Sequence, residues 1–282
     1  MGIKMKKTVL LVTDFYYQAK GREYYREDVL LSGLLRSHFN VVLSHIEDCE
    51  KLLNVVDAVL LRNTGPQSTH RNTLSKLKKR TDLALYNDLL GKGDIVGKHH
   101  LLELFDLRFP VIPTYSTNDK ALGTFDRYLL KPLNGADSAG VMVVSKQRLQ
   151  DYILRVNDMV VQPLVDFVYE VSFYFVGKQF QYALYAPDNE KRWELQQYSP
   201  THKDLEFALL FINWNTCVHG IQRVDACRTK DGELLLMELE DYNPFLSLEL
   251  LNVKSSDAFV TALANDLEQC IDSKLRQSQI VQ

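Results

Sequence analysis

Runs of apolar residues, broken by short polar stretches, divide the chain into alternating strands and helices. Lys7 to Thr13 reads as a buried strand ending at Asp14, ahead of the polar, tyrosine-rich stretch FYYQAKGREYY. Apolar residues Val29, Leu30, Leu34 and Leu35 recur at helical spacing and predict a helix over Arg26 to Ser37. Strands follow at Asn40 to Ser44 and Asp57 to Leu61, with a short helix between them that Asp48 can cap. Helical spacing returns at Asn72 to Leu77, and Leu83 to Asn87 reads as a further strand. This alternation predicts a small parallel α/β domain, whose loops after the strands, Asp14 to Arg26 and Arg62 to Thr69, face a ligand cleft or plain solvent.

The second half reads differently. Asp94 is placed to cap a helix over Ile95 to Phe105, and Pro110 and Pro113 then impose an extended segment. Asp126 to Lys131 and Val141 to Ser145 read as strands joined by the loop LNGADSAG; a helix over Lys146 to Arg155 and a strand over Met159 to Leu164 follow. From Glu170 a long hairpin turns at Gly177-Lys178. The polar stretch Asp188 to Thr201 reads as a lid or a disordered loop. Leu205 to Trp214 reads as a helix, Gly220 to Leu246 as a second hairpin, and Ser255 to Leu275 as a C-terminal amphipathic helix. Lobe boundaries are expected at 1–93, 94–160 and 161–282.

The second hairpin carries the chemistry. Its turn, Lys230-Asp231-Gly232-Glu233, has the Asp-Gly pair that supplies positive φ. Folding there sets Asp225 opposite Glu238 and Arg223 opposite Glu240, so all four side chains share a face. Leu234 to Leu239 is apolar apart from Glu238, which marks a buried strand, and buried carboxylates need a compensating charge. Three acids against one arginine suggest a divalent cation with oxygen ligands, Mg²⁺ or Mn²⁺. A solvated edge hairpin with cross-strand salt bridges explains the same four charges and stays open at this point. The small-residue loop after Lys131 has a similar pair of readings, a phosphate cradle or an ordinary hairpin.

Composition narrows the setting. With 282 residues, 46% hydrophobic and 24% charged, the chain can bury a substantial core, and a net charge of −3 offers no general attraction to nucleic acid or acidic membranes. No apolar run approaches a membrane span, and MGIKMKKTVLLV reads as a first strand rather than a signal peptide. Cys49, Cys217, Cys227 and Cys270 are too dispersed for a zinc site and fit reduced thiols in the cytoplasm. His99, His100, His202 and His219 form no nucleophilic set and read as surface or satisfied core residues.

The order of parts resembles the ATP-grasp superfamily, in its carboxylate–amine ligase branch with glutathione synthetase, D-alanine–D-alanine ligase and the ribosomal-protein glutamate ligases. The resemblance spans the chain: an α/β domain, Lys98, the P-x-x-P-T segment at Pro110 to Thr114, Leu-Lys131-Pro, Val161-Gln162-Pro163-Leu164, Glu170-Val-Ser, Arg223-x-Asp225 and Glu238-x-Glu240. It implies an ATP-grasp fold, α/β with α+β lobes, behind an N-terminal parallel α/β domain on the substrate side. It further implies that Lys98 and Lys131 hold ATP phosphates with Ser138 of the small-residue loop. Gln162, Pro163, Leu164 and Val165 would form the hinge at the adenine edge, and Glu170 would take the ribose. Asp225, Glu238 and Glu240 would hold two Mg²⁺, with Asn243 as an extra ligand or a turn residue. Arg223 would face the γ- and acyl phosphates, and Arg192 the substrate.

Two features depart from the family pattern. The loop LNGADSAG keeps only Gly135 and Gly140, and Glu240 stands where Asn is common. The function implied is an ATP- and Mg²⁺-dependent ligase joining a carboxylate to an amine through an acyl phosphate, on a small molecule or peptide. Neither nucleic acid nor membrane is expected as a partner, and a homodimer stays open. The rival classes are an ATP-grasp-like small-molecule kinase, whose acceptor pocket should be strongly basic, and a non-catalytic nucleotide-binding module. Arg22, Arg26 and Arg62 mix with acids and tyrosines in the N-terminal loops, which favours a zwitterionic substrate over a polyphosphate.

Overall fold

The computed structural model describes residues 5–19, 22–62, 70–119, 122, 124–135, 138–154, 158–188 and 190–280. The first apolar strand, β1 (Thr8–Thr13), is buried almost throughout, as its unbroken VLLV core requires. A two-residue ribbon, β2 (Gln18–Ala19) and β3 (Arg22–Glu23), leads into helix α1 (Tyr24–Leu35). Strands β4 (Asn40–His45) and β5 (Ala58–Arg62), helix α2 (Arg71–Lys78) and strand β6 (Ala84–Tyr86) complete a four-stranded sheet in the order β4-β1-β5-β6. Every pairing in it is parallel.

Helix α3 (His99–Asp106) precedes a small antiparallel sheet of β7 (Tyr115–Ser116), β8 (Arg127–Pro132), β9 (Met142–Ser145), helix α4 (Lys146–Ile153) and β10 (Met159–Pro163), ordered β7-β10-β8-β9. The third sheet contains β11 (Phe167–Val176), β12 (Gln179–Ala186), β13 (Gln196–Tyr198), then after helix α5 (His202–Trp214) β14 (Ile221–Thr229) and β15 (Leu234–Glu240). Its order is β13-β12-β11-β14-β15, all antiparallel, and α6 (Val253–Ile280) closes the chain.

One face of the first sheet and one face of the third share a core with α1 and α6. Val9, Leu11, Leu31, Leu35, Tyr174, Leu184, Phe259 and Leu263 meet there. The opposite face of the third sheet packs Phe173, Phe175, Leu236 and Leu239 against Leu101 and Leu104 of α3 and Phe207 and Phe211 of α5. Alternation along β11 therefore sends Tyr174 to one core and its neighbours Phe173 and Phe175 to the other.

Three expectations change. Asp94 caps no long helix: Asp94–Val96 is a single 3-10 turn, Gly97 (φ 82°) ends it, and α3 starts only after Lys98. The polar stretch Asp188 to Thr201 is not all loop, because Gln196–Tyr198 adds an edge strand to β12. The hairpin turn also differs from a two-residue turn. Arg228 faces Leu234, one place off, and a bulge between Asp225 and Ala226 restores the expected pairs Asp225↔Glu238 and Arg223↔Glu240. The bulge has a physical purpose. Leu234 and Leu236 must point into the core while Glu238 and Glu240 point away, and a strand can change that parity only by inserting a residue.

Candidate nucleotide and metal site

Seven side chains of the third sheet line up on the face opposite the Phe173–Leu239 core. Register places Ser172 against Asp225 and Tyr174 against Arg223, while Glu170 sits two residues before Ser172 on the same strand. Glu238 and Glu240 continue the rows on β15. Arg223 is the centre of this face. Its Nε donates to Asp225 Oδ1 at 2.9 Å, its Nη2 to Asp225 Oδ2 at 2.8 Å and to Glu240 Oε1 at 2.5 Å, and its Nη1 to the Phe245 carbonyl at 2.9 Å. Ser172 Oγ donates to Asp225 Oδ1 at 2.6 Å. Burial opposes the Arg223 charge, but Asp225 and Glu240 outweigh it and hold the guanidinium firmly protonated.

Two lysines reach this face from elsewhere. Lys98 donates through Nζ to Glu238 Oε1 at 2.5 Å and to the Gly135 carbonyl at 2.9 Å. Its backbone N–H binds the Leu133 carbonyl at 2.8 Å, so it spans the loop after β8 and the acid on β15. Lys131, near the end of β8, is 7% exposed, and its ammonium has no ion pair or hydrogen bond among the described residues. Burial pushes its ammonium below the ordinary lysine range, with Glu238 pulling the other way. The Glu238 carboxyl, which burial alone would raise, is held at about 2 by Lys98 and Lys131.

Glu170 pairs with Arg192 at 2.8 Å, and burial raises its carboxyl despite that partner. Among the described residues the buried Glu170 Oε1 has no well-aligned hydrogen bond, so charge holds this pair. Gln162 is 1% exposed on β10; its Nε2 donates to Thr114 Oγ1 at 2.9 Å, while its Oε1 is a buried acceptor with no hydrogen-bond partner among the described residues. Pro163 ends β10, and the Leu164 N–H binds the Arg127 carbonyl at 3.0 Å. Ser138 sits at φ 58° in an exposed turn; residues 136–137 of its loop lie outside the described residues. Asn243 points its amide at the Arg62 carbonyl, 3.0 Å away, at the end of β5.

Asp225 and Glu240 thus share Arg223, Glu238 pairs with Lys98, and Glu170 pairs with Arg192. No three carboxylate, histidine or cysteine side chains among the described residues converge to hold a metal by themselves. Lys98 and Arg192 thus add two cations to the one arginine that the hairpin pattern counted. Two cavities of about 410 and 490 Å³ lie elsewhere, along α2 and between β6 and α6, and none of these side chains lines them.

One arginine and one acid sit differently from what their sequence pattern suggests. Arg62 does not face a ligand: 2% exposed, it binds Asp28 at 2.9 Å, Glu27 at 3.0 Å and the Pro244 carbonyl at 2.7 Å. Residues 63–69, and the 20–21 stretch of the first loop, lie outside the described residues, and Arg26 is an exposed partner of Glu23. Asp241, which pattern reading passes over, is 1% exposed and accepts bonds from Gly93, Ile95 and Asn215. Its only sequence trace is the Gly91-x-Gly93 pair, because a Cβ at Gly91 would lie 2.0 Å from Asp241 Oδ2.

No family model and no curated protein matches the sequence. Solved structures do match in shape. D-cycloserine synthetase DcsG superposes with a TM-score of 0.70 at 18% identity, covering 92% of this chain and 99% of that one. D-alanine–D-alanine ligase from Bacillus anthracis, complexed with ATP, gives 0.64 at 14% identity over 98% and 100%. The ATP-grasp ligase PsnB, complexed with a variant of its minimal precursor, Mg and ADP, gives 0.68 at 12% identity over 94% and 100%. The chain shares the ATP-grasp fold of these structures over 92% to 98% of its length. No helix among the described residues is long and apolar enough to cross a membrane.

Proposed function

We propose that the protein is an ATP-dependent ligase that joins a carboxylate to an amine by way of an acyl phosphate, with ATP held between the second and third sheets. The observation that carries this reading is the meeting of Lys98 and Lys131 with Glu238 beside the Arg223–Asp225–Glu240 cluster. Cations suited to phosphate come from the start of α3 and from the second sheet, and acids suited to a hard metal ion from the third.

The residues suit a nucleotide in three places. Lys131 is a buried ammonium with no anion in contact among the described residues, and a phosphate oxygen would supply one. Gln162 Oε1 is a buried acceptor beside the strand end Pro163-Leu164-Val165, where an adenine edge could donate. Glu170 faces the same way as Ser172 and can accept from ribose hydroxyls once Arg192 turns away to a substrate. Ser138 would add a hydroxyl to the phosphate contacts.

Asp225, Glu238 and Glu240 offer the hard carboxylate oxygens that two Mg²⁺ ions prefer, with Asn243 nearby in sequence. Mg²⁺, when bound with the nucleotide, neutralises phosphate charge and polarises the group transferred. The chain's own residues do the rest. Arg223 turns from Asp225 to the moving phosphoryl oxygens, which its fork can grip in two places. Lys98 exchanges Glu238 for a phosphate oxygen. Enclosure of the acyl phosphate among buried side chains keeps water out until an amine attacks. Residues 1–93 supply the substrate side, and 94–160 and 161–282 the two nucleotide lobes. The small-molecule or peptide substrates would be met in the cytoplasm, where four buried, unbridged thiols persist.

The test is a phosphate-release screen of amino acids and dipeptides with MgATP, run beside the double variant D225N/E238Q. Release that needs both a carboxylate and an amine, and that the variant lacks, supports the ligase. A phosphorylated acceptor formed without an amine identifies a kinase instead, and no ATP binding at all removes the nucleotide site.

A further inference from the structure

Asp94 lies four residues before Lys98, and Asp241 directly follows Glu240; the two aspartates clasp each other's backbone. Asp241 Oδ2 accepts the Gly93 N–H at 2.8 Å and Oδ1 the Ile95 N–H at 3.1 Å. In return Asp94 Oδ1 accepts the N–H groups of Asp241 at 2.7 Å and Tyr242 at 3.0 Å. Asn215 Nδ2 binds Asp241 Oδ2 at 2.9 Å, and Asn87 Nδ2 binds the Asp241 carbonyl at 2.7 Å. Neither aspartate has an ion-pair partner among the described residues; both are held by neutral donors.

The packing around the clasp leaves no slack. A Cβ on Gly93 would lie 2.6 Å from the Leu239 carbonyl and 2.9 Å from Asp241 Cγ. Burying two carboxyls beside each other without a cation is a poor way to gain stability, because each loses hydration that neutral donors only partly replace. What the arrangement does provide is position. It ties the segment entering Lys98 to the end of the strand that carries Glu238 and Glu240. Beyond Ile95, only Val96 and Gly97 separate the clasp from Lys98, whose ammonium lands on Glu238.

We infer that Asp94 and Asp241 are positioning residues that set the Lys98 ammonium against the acid face of β15, and so at the phosphate end of the nucleotide. This rests on the nucleotide reading above. The experiment compares ATP with adenosine, which lacks every phosphate, by calorimetry and by competition with a fluorescent ATP analogue. Thermal melting tracks the folded fraction. D94A should weaken ATP about tenfold or more while leaving adenosine within about twofold, because only phosphate contacts are displaced. D94N keeps the oxygen that accepts both N–H groups and should restore ATP binding to within about threefold of wild type.

If D94A does not fold, G91A pushes the Asp241 carboxylate aside while leaving Asp94 intact, and the same selective loss is expected. Equal losses for ATP and adenosine in either variant, or unchanged ATP affinity in a folded one, overturn the inference. Wild-type protein that binds adenosine and ATP alike, or neither, removes the nucleotide reading and this inference with it.

Discussion

Two arginines in this molecule each sit between two carboxylates, and their surroundings give them opposite roles. Arg62 is sealed at 2% exposure between Glu27 and Asp28, which are themselves tied down. Glu27 accepts the Leu246 N–H at 2.8 Å, and Thr13 Oγ1 donates to Asp28. Arg223 has the same kinds of partners, two acids and a backbone carbonyl, but its side chain is 13% exposed and those of Asp225 and Glu240 are each 20% exposed. A sealed network joins chain segments and cannot exchange partners. An open one can trade a carboxylate for a phosphate. Both networks set one arginine between two carboxylates, so burial and not residue type separates the joint from the site.

The largest effect should follow from cutting the sealed network. Arg62→Met leaves Glu27 and Asp28 buried without their cation, and chemical denaturation should show a loss of about 3–5 kcal/mol. ATP affinity of the fraction still folded should not change. The mirror substitution, Arg223→Met, should reverse the pattern. Phosphate release should fall about a hundredfold, about 2.7 kcal/mol of barrier, while stability drops by about 1 kcal/mol, since the acids it leaves reach water. Comparable stability losses in the two variants would end the distinction.

The two lysines sharpen it further, because they are shifted in opposite directions. Burial lowers Lys131, whereas Glu238 raises Lys98 against its own burial. A lowered ammonium is fully charged only below its own pKa, so phosphate affinity is complete at lower pH and declines as pH rises. ATP titrations should therefore weaken below the ordinary lysine value of about 10.4. Lys131→Arg, which stays charged, should flatten that decline. The smallest effect belongs to the hairpin turn. Gly232 has φ 86° and open space around its missing Cβ, so Gly232→Ala should cost about 1 kcal/mol in melting through backbone strain alone.

Much of this architecture is legible in the sequence because it depends on local pattern. The four parallel strands are continuous apolar runs, and the pairing of Arg223 with Glu240 and of Asp225 with Glu238 follows from counting back from Asp231-Gly232. The bulge beside Asp225 is not legible, since the turn and the inner pairs differ by one residue that no turn rule assigns. Edge strand β13 is too polar to stand out from loop. Arg62 and the two clasping aspartates escape for another reason. Their partners lie 34 to 35, 182 and 146 to 148 residues away, beyond any local spacing rule. An aspartate after glycine at a turn reads as a helix cap until the distant backbone it holds is known. The acids Asp225, Glu238 and Glu240 and the arginine beside them are visible in the sequence; the compensation of Glu238 by Lys98, 140 residues away, is visible only in three dimensions.

On nucleotide binding, the acids on β14 and β15 should release their cations to a magnesium–nucleotide complex. Calorimetric titration of ATP, with and without Mg²⁺, into wild type and D225N/E238Q measures this most directly. Wild type should bind ATP at least about tenfold more tightly with Mg²⁺ than without, and the double variant should lose that dependence. ATP affinity that ignores Mg²⁺ in wild type, or a Mg²⁺ dependence that survives in the variant, would contradict the account.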